Sequence, residues 1–316
     1  APPAMILCAG FGTRLRPITD VIPKPLVPVG DRPAFVHAID QLRAIGAAPL
    51  VMNTHHRADS FSAVLPPDLV VEHEEIILGT AGGVRNAESS LGHGDTIVWN
   101  GDVVAEPDLW ALLNAHYHHH LQSSKSALTL LASSMPVGQG TLGISSEGFV
   151  VRLRGETFGR ESRAVDFMGI QVLSEDVRSR LPMSGCLVGD VLLPLLREGA
   201  KIPVFLHDRE WDDIGTPQAL LRANLRWLKR TGLSSFVHPN ASVDPGVRIH
   251  NSVVCSGSEI RGQGLVEKSL VLLALAHLHP AKALSPFLLA VDETHASWKL
   301  PEPPLVAFLQ KIVPPT

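Results

Sequence analysis

Near the start of the chain, Gly10, Gly12 and Thr13 precede Arg14, and Lys24 follows between Pro23 and Pro25. Glycines let the backbone approach oxygens closely and turn N–H groups toward an anion, and the Thr13 hydroxyl adds a donor. Arg14 and Lys24 supply fixed positive charge, so the segment suits a polyphosphate. Two simpler motifs are not met. A dinucleotide fingerprint needs a third glycine where Leu15 stands, and a P-loop needs a second glycine where Pro17 stands. Downstream, Asp102 and Asp213 each lie beside a glycine-containing turn at a strand end. Magnesium takes hard oxygen ligands, commonly one or two carboxylates completed by phosphate oxygens and water, and these two aspartates are suitable donors. Asp212, next to Asp213 on an extended segment, should face the other way.

The elements that must position these residues read as alternating strands and helices. Residues 4–9 form a continuous apolar run ending at Gly10, as expected for a strand buried on both faces. Phe35, Ala38, Ile39, Leu42 and Ile45 recur at helical spacing, with Gly46 placed to end that helix. Pro49 to Met52 is again strand-like, and the βαβ order recurs through Ile97 to Trp99 and a helix from Pro107 to Tyr117. Between about 127 and 175 the runs are shorter, Leu128 to Ala132, Phe149 to Leu153 and Phe167 to Leu173, and these strands are expected to cover a ligand cleft. Helical spacing returns at Gly189 to Arg197 and at Pro217 to Leu228. After Gly232, Val237, Val243 and Ile249 recur at six-residue steps with prolines and glycines at the turns, one signature of a parallel β-helix. The pattern breaks where Cys255 and Arg261 occupy the next two steps, and two to three coils would fit. The expected organisation is a catalytic domain over 1–232, a hexapeptide-repeat domain over 233–279 and a proline-rich tail over 280–316, with a short helix at Pro304 to Ile312.

A chain of 316 residues with 45% hydrophobic residues can bury a sizeable core. Its net charge of −4 and pI near 6.4 exclude a globally basic nucleic-acid binder, so phosphate chemistry must rest on a few local cations. Three scattered cysteines suggest neither a disulfide framework nor a zinc site. With no basic leader and no apolar run near 18 to 20 residues, the expectation is a cytoplasmic protein without a membrane span.

Residues 10–25, continued by Leu26-Val27-Pro28-Val29, resemble the G-x-G-T-R-L-x-P-x-T-x-x-x-P-K-P signature of the sugar-phosphate nucleotidyltransferases, matching every fixed position. Leu78-Gly79-Thr80-Ala81-Gly82-Gly83 resembles the second glycine segment of that family, with Glu74 where a base-contacting residue is common. Asn100-Gly101-Asp102 resembles its N-G-D, and Trp211 to Pro217 its W-x-D-I-G-T-P. The resemblance implies an α/β fold, a Rossmann-like mixed and mostly parallel sheet flanked by helices, with a short C-terminal left-handed β-helix-like extension. It implies a nucleotide held by Leu7, Ala9, Gly10, Gly12, Thr13, Arg14, Glu74, Gly79, Thr80 and Gly82, and Mg2+ on Asp102 and Asp213. Arg14 would serve the leaving pyrophosphate, and Lys24 would bridge the α-phosphate and the incoming sugar phosphate. Many relatives carry Glu-Lys-Pro on the sugar side, where this chain reads Val151-Arg152-Leu153-Arg154-Gly155-Glu156; the implied sugar residues are Gly143, Arg154, Glu156 and Asp166. The implied partners are a nucleoside triphosphate, a sugar 1-phosphate and further copies of the chain, with no nucleic acid and no membrane.

The implied reaction is a mannose-1-phosphate guanylyltransferase-like one. Uridylyl or thymidylyl transfer to glucose or amino-sugar phosphates, choline-phosphate cytidylyl transfer and a non-catalytic NDP-sugar-binding regulatory subunit stay open as alternatives. His116, His118, His119 and His120, at the end of the expected helix, read as a polar helix terminus rather than a metal site. His55 and His56 read as a solvated loop, and Cys8 as a small buried apolar residue.

Overall fold

The computed structural model describes residues 1–122, 128–136 and 138–272, with the backbone of two further strands, Leu275–Leu278 and Ala290–Asp292. The helix expected at Pro304 to Ile312 lies outside the described residues. The chain forms two compact units. One comprises Ala1–Phe11, Ile22–Leu26 and Ala34–Trp211, and the other Gly12–Val21, Val27–Pro33 and Asp212–Thr316.

The first unit is built on one sheet. In chain order its elements are β1 (Ala4–Leu7), α1 (Ala34–Ala44), β2 (Leu50–Thr54), β3 (Leu69–His73), α2 (Gly79–Asn86), β4 (Thr96–Asn100) and α3 (Leu109–Gln122). There follow β5 (Leu128–Met135), β6 (Leu142–Ile144), β7 (Val150–Leu153), β8 (Glu156–Thr157), β9 (Arg163–Leu173), α4 (Leu193–Arg197) and β10 (Val204–His207). The strands run in the order β8-β7-β6-β9-β4-β1-β2-β3, with β5 paired to β9 and β10. The pairs β4/β1, β1/β2 and β2/β3 are parallel, whereas β9 is antiparallel to β4, β5 and β6.

A parallel strand with helices on both sheet faces must be apolar on both sides, which is why residues 4–9 show no alternation. Successive side chains of β1 enter opposite cores. Ala4 and Ile6 pack with Phe35, Ile39 and Leu42 of α1 and with Leu109, Leu112 and Leu113 of α3. Met5 packs with Ala81 and Val84 of α2 and with Leu187, Leu193 and Leu196 around α4. The shorter strands extend the sheet, with β9 pairing directly with β4 from Ile170↔Trp99 to Leu173↔Thr96.

The expected Pro107 to Tyr117 helix starts at Leu109, where the Asp108 carboxylate accepts from the Ala111 N–H at 2.9 Å, and runs on to Gln122. His116 is fully buried there, bonded to the Thr129 hydroxyl at 2.9 Å and to Asp95 at 3.2 Å. Those two partners explain why the helix continues through the histidines, and they correct the reading of His116 as part of a polar helix terminus. Helical structure expected from Gly189 begins as a π-helical turn at Leu187–Leu192 and passes into α4. Among the described residues no helix is long and apolar enough to cross a membrane.

In the second unit, β11 (Trp211–Asp213) enters from Trp211 and leads into α5 (Pro217–Thr231). The ends of α5 are written in its sequence. The Thr216 hydroxyl accepts from the Ala219 N–H, Pro217 opens the first turn, Lys229 and Arg230 occupy the last, and Gly232 closes it at φ 71°. Its Asn224 side chain accepts the Gly30 N–H at 2.8 Å, and a Cβ on Gly30 would fall 2.1 Å from the Trp227 ring. Residues 27–33 are thereby seated on α5.

The segment after Gly232 forms parallel coils, with Phe236↔Val253↔Leu270, Ser242↔Glu259 and Gly246↔Gln263 in register. Each offset is 17 residues (253 − 236, 270 − 253, 259 − 242, 263 − 246). Val254, Ile260, Val266 and Val271 fill the interior, flanked by Val243 and Ile249, while Val237 is 40% exposed. The inward steps from 243 are therefore six, five, six, six and five. One five-residue step per coil pulls the phase back, so Val254 and Ile260 take the places where strict hexapeptides put Cys255 and Arg261.

Candidate active site

The first unit gathers the N-G-D turn, Lys24 and the second glycine segment around the end of β1. The Gly101 N–H donates to the Leu7 carbonyl at 2.9 Å, and a Cβ on Gly101 would lie 2.4 Å from the Cys8 sulfur. Only glycine lets the turn come this close, and Asp102 is carried in beside the loop. The Lys24 ammonium donates to the Asp102 carboxylate. The Lys24 side chain is 9% exposed and that of Asp102 25%, so the ion pair is largely desolvated on one side and open on the other. Burial, followed by the Asp102 charge, pushes the Cys8 thiol well above its ordinary range, in keeping with an inert apolar residue.

A buried polar chain fixes the first glycine loop against the second. The Asn53 side chain accepts the Cys8 N–H at 2.7 Å and donates to Glu74 at 2.6 Å. The other Glu74 oxygen accepts the Leu78 N–H at 3.0 Å, immediately before Gly79. Glu74 is 2% exposed, so its carboxylate acts here as a bracket and faces no solvent. Asn53 escaped the sequence reading; its signal is a polar residue closing an apolar strand. Phe11, exposed between the two glycines, makes edge contacts with the His55 and His56 rings. His55 is held through Nδ1 to the Glu74 carbonyl at 2.7 Å, which orders the loop expected to be merely solvated.

Thr80 sits one residue inside α2, where its hydroxyl accepts the Leu187 N–H at 2.8 Å. Gly79 and Gly82 pack against the backbone of residues 183–185. Beside them burial would raise the Cys186 thiol, but the Gly189 and Val188 N–H groups, the Thr80 hydroxyl and the Arg154 charge outweigh it and hold it below the ordinary thiol range. Arg154 reaches the Cys186 sulfur at 3.6 Å and is the implied sugar residue that the structure brings to the second glycine segment. Glu156 is elsewhere engaged, accepting from Arg197 at 2.9 Å, and that bond holds its carboxyl below the usual range. At Gly143 a Cβ would lie 2.4 Å from the Glu161 carboxylate, itself bonded to Arg152 at 2.7 Å, so an ion pair fills the face that the glycine leaves open. Asp166 is half-buried on β9, opposite Ser133.

The second unit carries the rest of the loop and the second aspartate. Gly12 adopts a left-handed conformation at φ 62°, its carbonyl accepts the Thr19 hydroxyl at 2.9 Å, and a single 3-10 turn over Thr13–Leu15 presents Arg14. Arg14 lies 3.7 Å from Asp213, with side chains 67% and 40% exposed. A Cβ on Gly215 would fall 2.9 Å from both the Arg14 guanidinium and the Asp213 carboxylate, so the glycine of D-I-G-T-P is the space in which that pair meets. Asp212 is turned away as expected, 4% exposed and bonded to Arg222 at 2.7 Å and Arg226 at 2.9 Å.

Among the described residues no three histidine, cysteine or acidic side chains cluster as a metal cage, the four-histidine run of α3 included. Each unit offers one aspartate beside a cation, Asp102 at 25% and Asp213 at 40% side-chain exposure, and a carboxylate of this kind is a hard oxygen donor suited to magnesium.

The nucleotidyl transferase family model matches residues 3–230. Mannose-1-phosphate guanylyltransferase of Mycobacterium tuberculosis is 29% identical over 81% of this chain and 76% of its own length. Mannose-1-phosphate guanyltransferase of Saccharomyces cerevisiae is 26% identical over 76% of this chain and 71% of its own. Among solved structures, HddC from Yersinia pseudotuberculosis complexed with GMP-PN shares the fold, with a TM-score of 0.60 and 23% identity over 72% of this chain and 100% of that one. By the match across residues 3–230, which takes in both cations and both aspartates, the chain belongs to the nucleotidyl transferase family and is a nucleotidyltransferase.

Proposed function

We propose that the protein joins a sugar 1-phosphate to a nucleoside triphosphate, releasing pyrophosphate, with mannose 1-phosphate and GTP as the preferred pair. The observation that carries the reaction is the pairing of each loop cation with one motif aspartate, Lys24 with Asp102 and Arg14 with Asp213. Guanine and mannose follow from the named activity of the related guanylyltransferases.

An oxygen of the sugar phosphate attacks the α-phosphorus of the nucleotide, a new P–O bond forms, and the bond to the bridging oxygen of the leaving pyrophosphate breaks. Little covalent work falls to the protein, so positioning and neutralisation of phosphate charge dominate. Lys24 exchanges Asp102 for the α-phosphate and the incoming phosphate, and Arg14 exchanges Asp213 for the pyrophosphate. The backbone of Leu7, Ala9, Gly10, Gly12 and Thr13 lines the nucleotide, with Gly79, Thr80 and Gly82 on the base and ribose side and Glu74 bracketing the two segments. A magnesium ion held by Asp102 and Asp213 would supply further neutralisation of the phosphate oxygens. On the sugar side we place Arg154 and Asp166 in contact, with Gly143 and Glu156 in the surrounding wall.

The same reading assigns the catalytic domain to 1–232 and the coils to 233–279 as a left-handed β-helix that serves assembly of a homo-oligomer in the cytoplasm. The proline-rich 280–316 is a tail, and its strand Ala290–Asp292 pairs antiparallel with Ser269–Val271 of the coils. The test is pyrophosphate release from five nucleoside triphosphates against a panel of sugar 1-phosphates, with magnesium varied. GTP with mannose 1-phosphate should give the highest kcat/KM. A higher value with UTP or dTTP would overturn the base, and inactivity with every pair would overturn catalysis in favour of a regulatory subunit.

A further inference from the structure

The W-x-D segment places a second, buried carboxylate directly before Asp213, and its surroundings are unusual for a residue with no part in the chemistry. Asp212 is 4% exposed. A carboxylate so deeply buried is unfavourable unless paired and hydrogen-bonded. Both partners come from α5, four residues apart, and both meet the same oxygen: Arg222 Nε at 2.7 Å and Arg226 Nη1 at 2.9 Å donate to Oδ1. The two guanidiniums offset part of the cost of burying this carboxylate.

The geometry points to Asp212 as a positioning residue that, clamped by Arg222 and Arg226, fixes the direction in which Asp213 presents its carboxylate. Neighbouring residues on an extended strand face opposite ways, so pinning one side chain sets the heading of the next. The pin is reinforced downstream, where Ile214, two residues on, is fully buried and the Thr216 hydroxyl, four residues on, caps α5 through the Ala219 N–H at 3.2 Å. Asp213 is the half-exposed residue between these anchors, and Arg14 meets it over Gly215. Partners behind a metal-binding side chain commonly matter about as much as the side chain's own geometry.

This inference rests on Asp213 as a metal ligand, and the experiment separates the two. Mn2+ serves as the probe, its binding to the full-length protein followed by loss of the free-ion EPR signal, alongside the magnesium concentration that half-activates turnover. Asp213→Asn should abolish most of the binding. Asp212→Ala and the double variant Arg222→Ala/Arg226→Ala should weaken Mn2+ by about tenfold and raise the half-activating magnesium concentration by about the same factor, with kcat at saturating magnesium nearly restored. Asp212→Asn, which keeps the oxygen that accepts from both arginines, should fold where the alanine variant does not and show a smaller shift in the same direction. Asn224→Ala is the structural control, because it loosens α5 through the Gly30 and Leu220 contacts without touching the clamp. It should lower Tm and leave Mn2+ affinity unchanged. Unchanged affinity in the Asp212 variants while Asp213→Asn loses binding would overturn the positioning role alone, as would an equal loss in Asn224→Ala. Full Mn2+ affinity in Asp213→Asn would overturn the metal assignment itself.

Discussion

Lys24 with Asp102 and Arg14 with Asp213 are the same chemical unit, a cation on an aspartate, built in two different ways. The first is enclosed: Lys24 is 9% exposed and Asp102 rides on a turn packed on the Cys8 sulfur. The second is open, with Arg14 67% exposed on a single 3-10 turn, and its firmness comes from the clamped carboxylate next door. An enclosed cation works in a weaker dielectric and is preorganised, so it suits the atom where bonds change. An exposed one is free to follow a group that leaves.

That contrast predicts unequal losses. Lys24→Ala should lower kcat by about 100- to 1000-fold, the cost of removing a preorganised donor, in a steady-state pyrophosphate assay. Arg14→Ala should cost less, on the order of tenfold, as for one charge-assisted hydrogen bond in partial solvent. If the two losses came out in the opposite order, the roles assigned to the enclosed and open pairs would have to be exchanged.

The same contrast extends to folding. Lys24→Met leaves the Asp102 charge partly buried without a partner and should lower the unfolding free energy by about 2 kcal/mol in denaturant titration. Arg14→Met should change it by less than about 0.5 kcal/mol, since exposed pairs contribute little. Equal losses would show that the enclosure of Lys24 is not what distinguishes the pairs.

A smaller effect than at Lys24 is expected away from the site, where the buried His116 meets the partly buried Asp95. Burial pushes the Asp95 carboxyl up, but the His116 bond, the Glu175 N–H and the nearby histidine charges prevail and hold it below its ordinary value. A carboxyl depressed in the folded state stabilises above its unfolded pKa, and that contribution disappears as pH falls through the folded one. Asp95→Asn should therefore lower stability by about 1 kcal/mol at pH 7, and the difference from wild type should shrink below about pH 4. A difference independent of pH would mean that packing around His116, not charge, holds this corner.

The reaction class was legible because phosphate chemistry demands residue types at fixed spacings, and residues 10–25, 100–102 and 211–217 carry them undiluted. Partners were not legible. Nothing in the order of residues says that Glu74 is spent on Asn53 and Leu78, or that the face of Gly143 is filled by Glu161, because those are contacts between segments far apart in the chain. The helix through His116 was cut short for the same reason, its support coming from Thr129 and Asp95. The six-residue pattern of the coils was visible, but its true period was hidden because a single five-residue step looks like noise until strand register aligns one coil with the next.

That 17-residue spacing makes chain length in the coils a counted quantity. Removing residues 246–262, which is 262 − 246 + 1 = 17 positions, would bring Gln263 to the place of Gly246 and preserve every inward residue on both sides of the cut. Removing a hexapeptide would turn all that follows by a third of a coil; the inward residues, which recur every five or six positions, would stay inward, but each strand would be carried off the partner it pairs with. The segment is thus a ruler marked in coils of nearly constant length, 17 residues at Phe236↔Val253 (253 − 236) and 16 at Glu259↔Leu275 (275 − 259), and a whole coil is the unit that can be added or removed with the strand pairing kept.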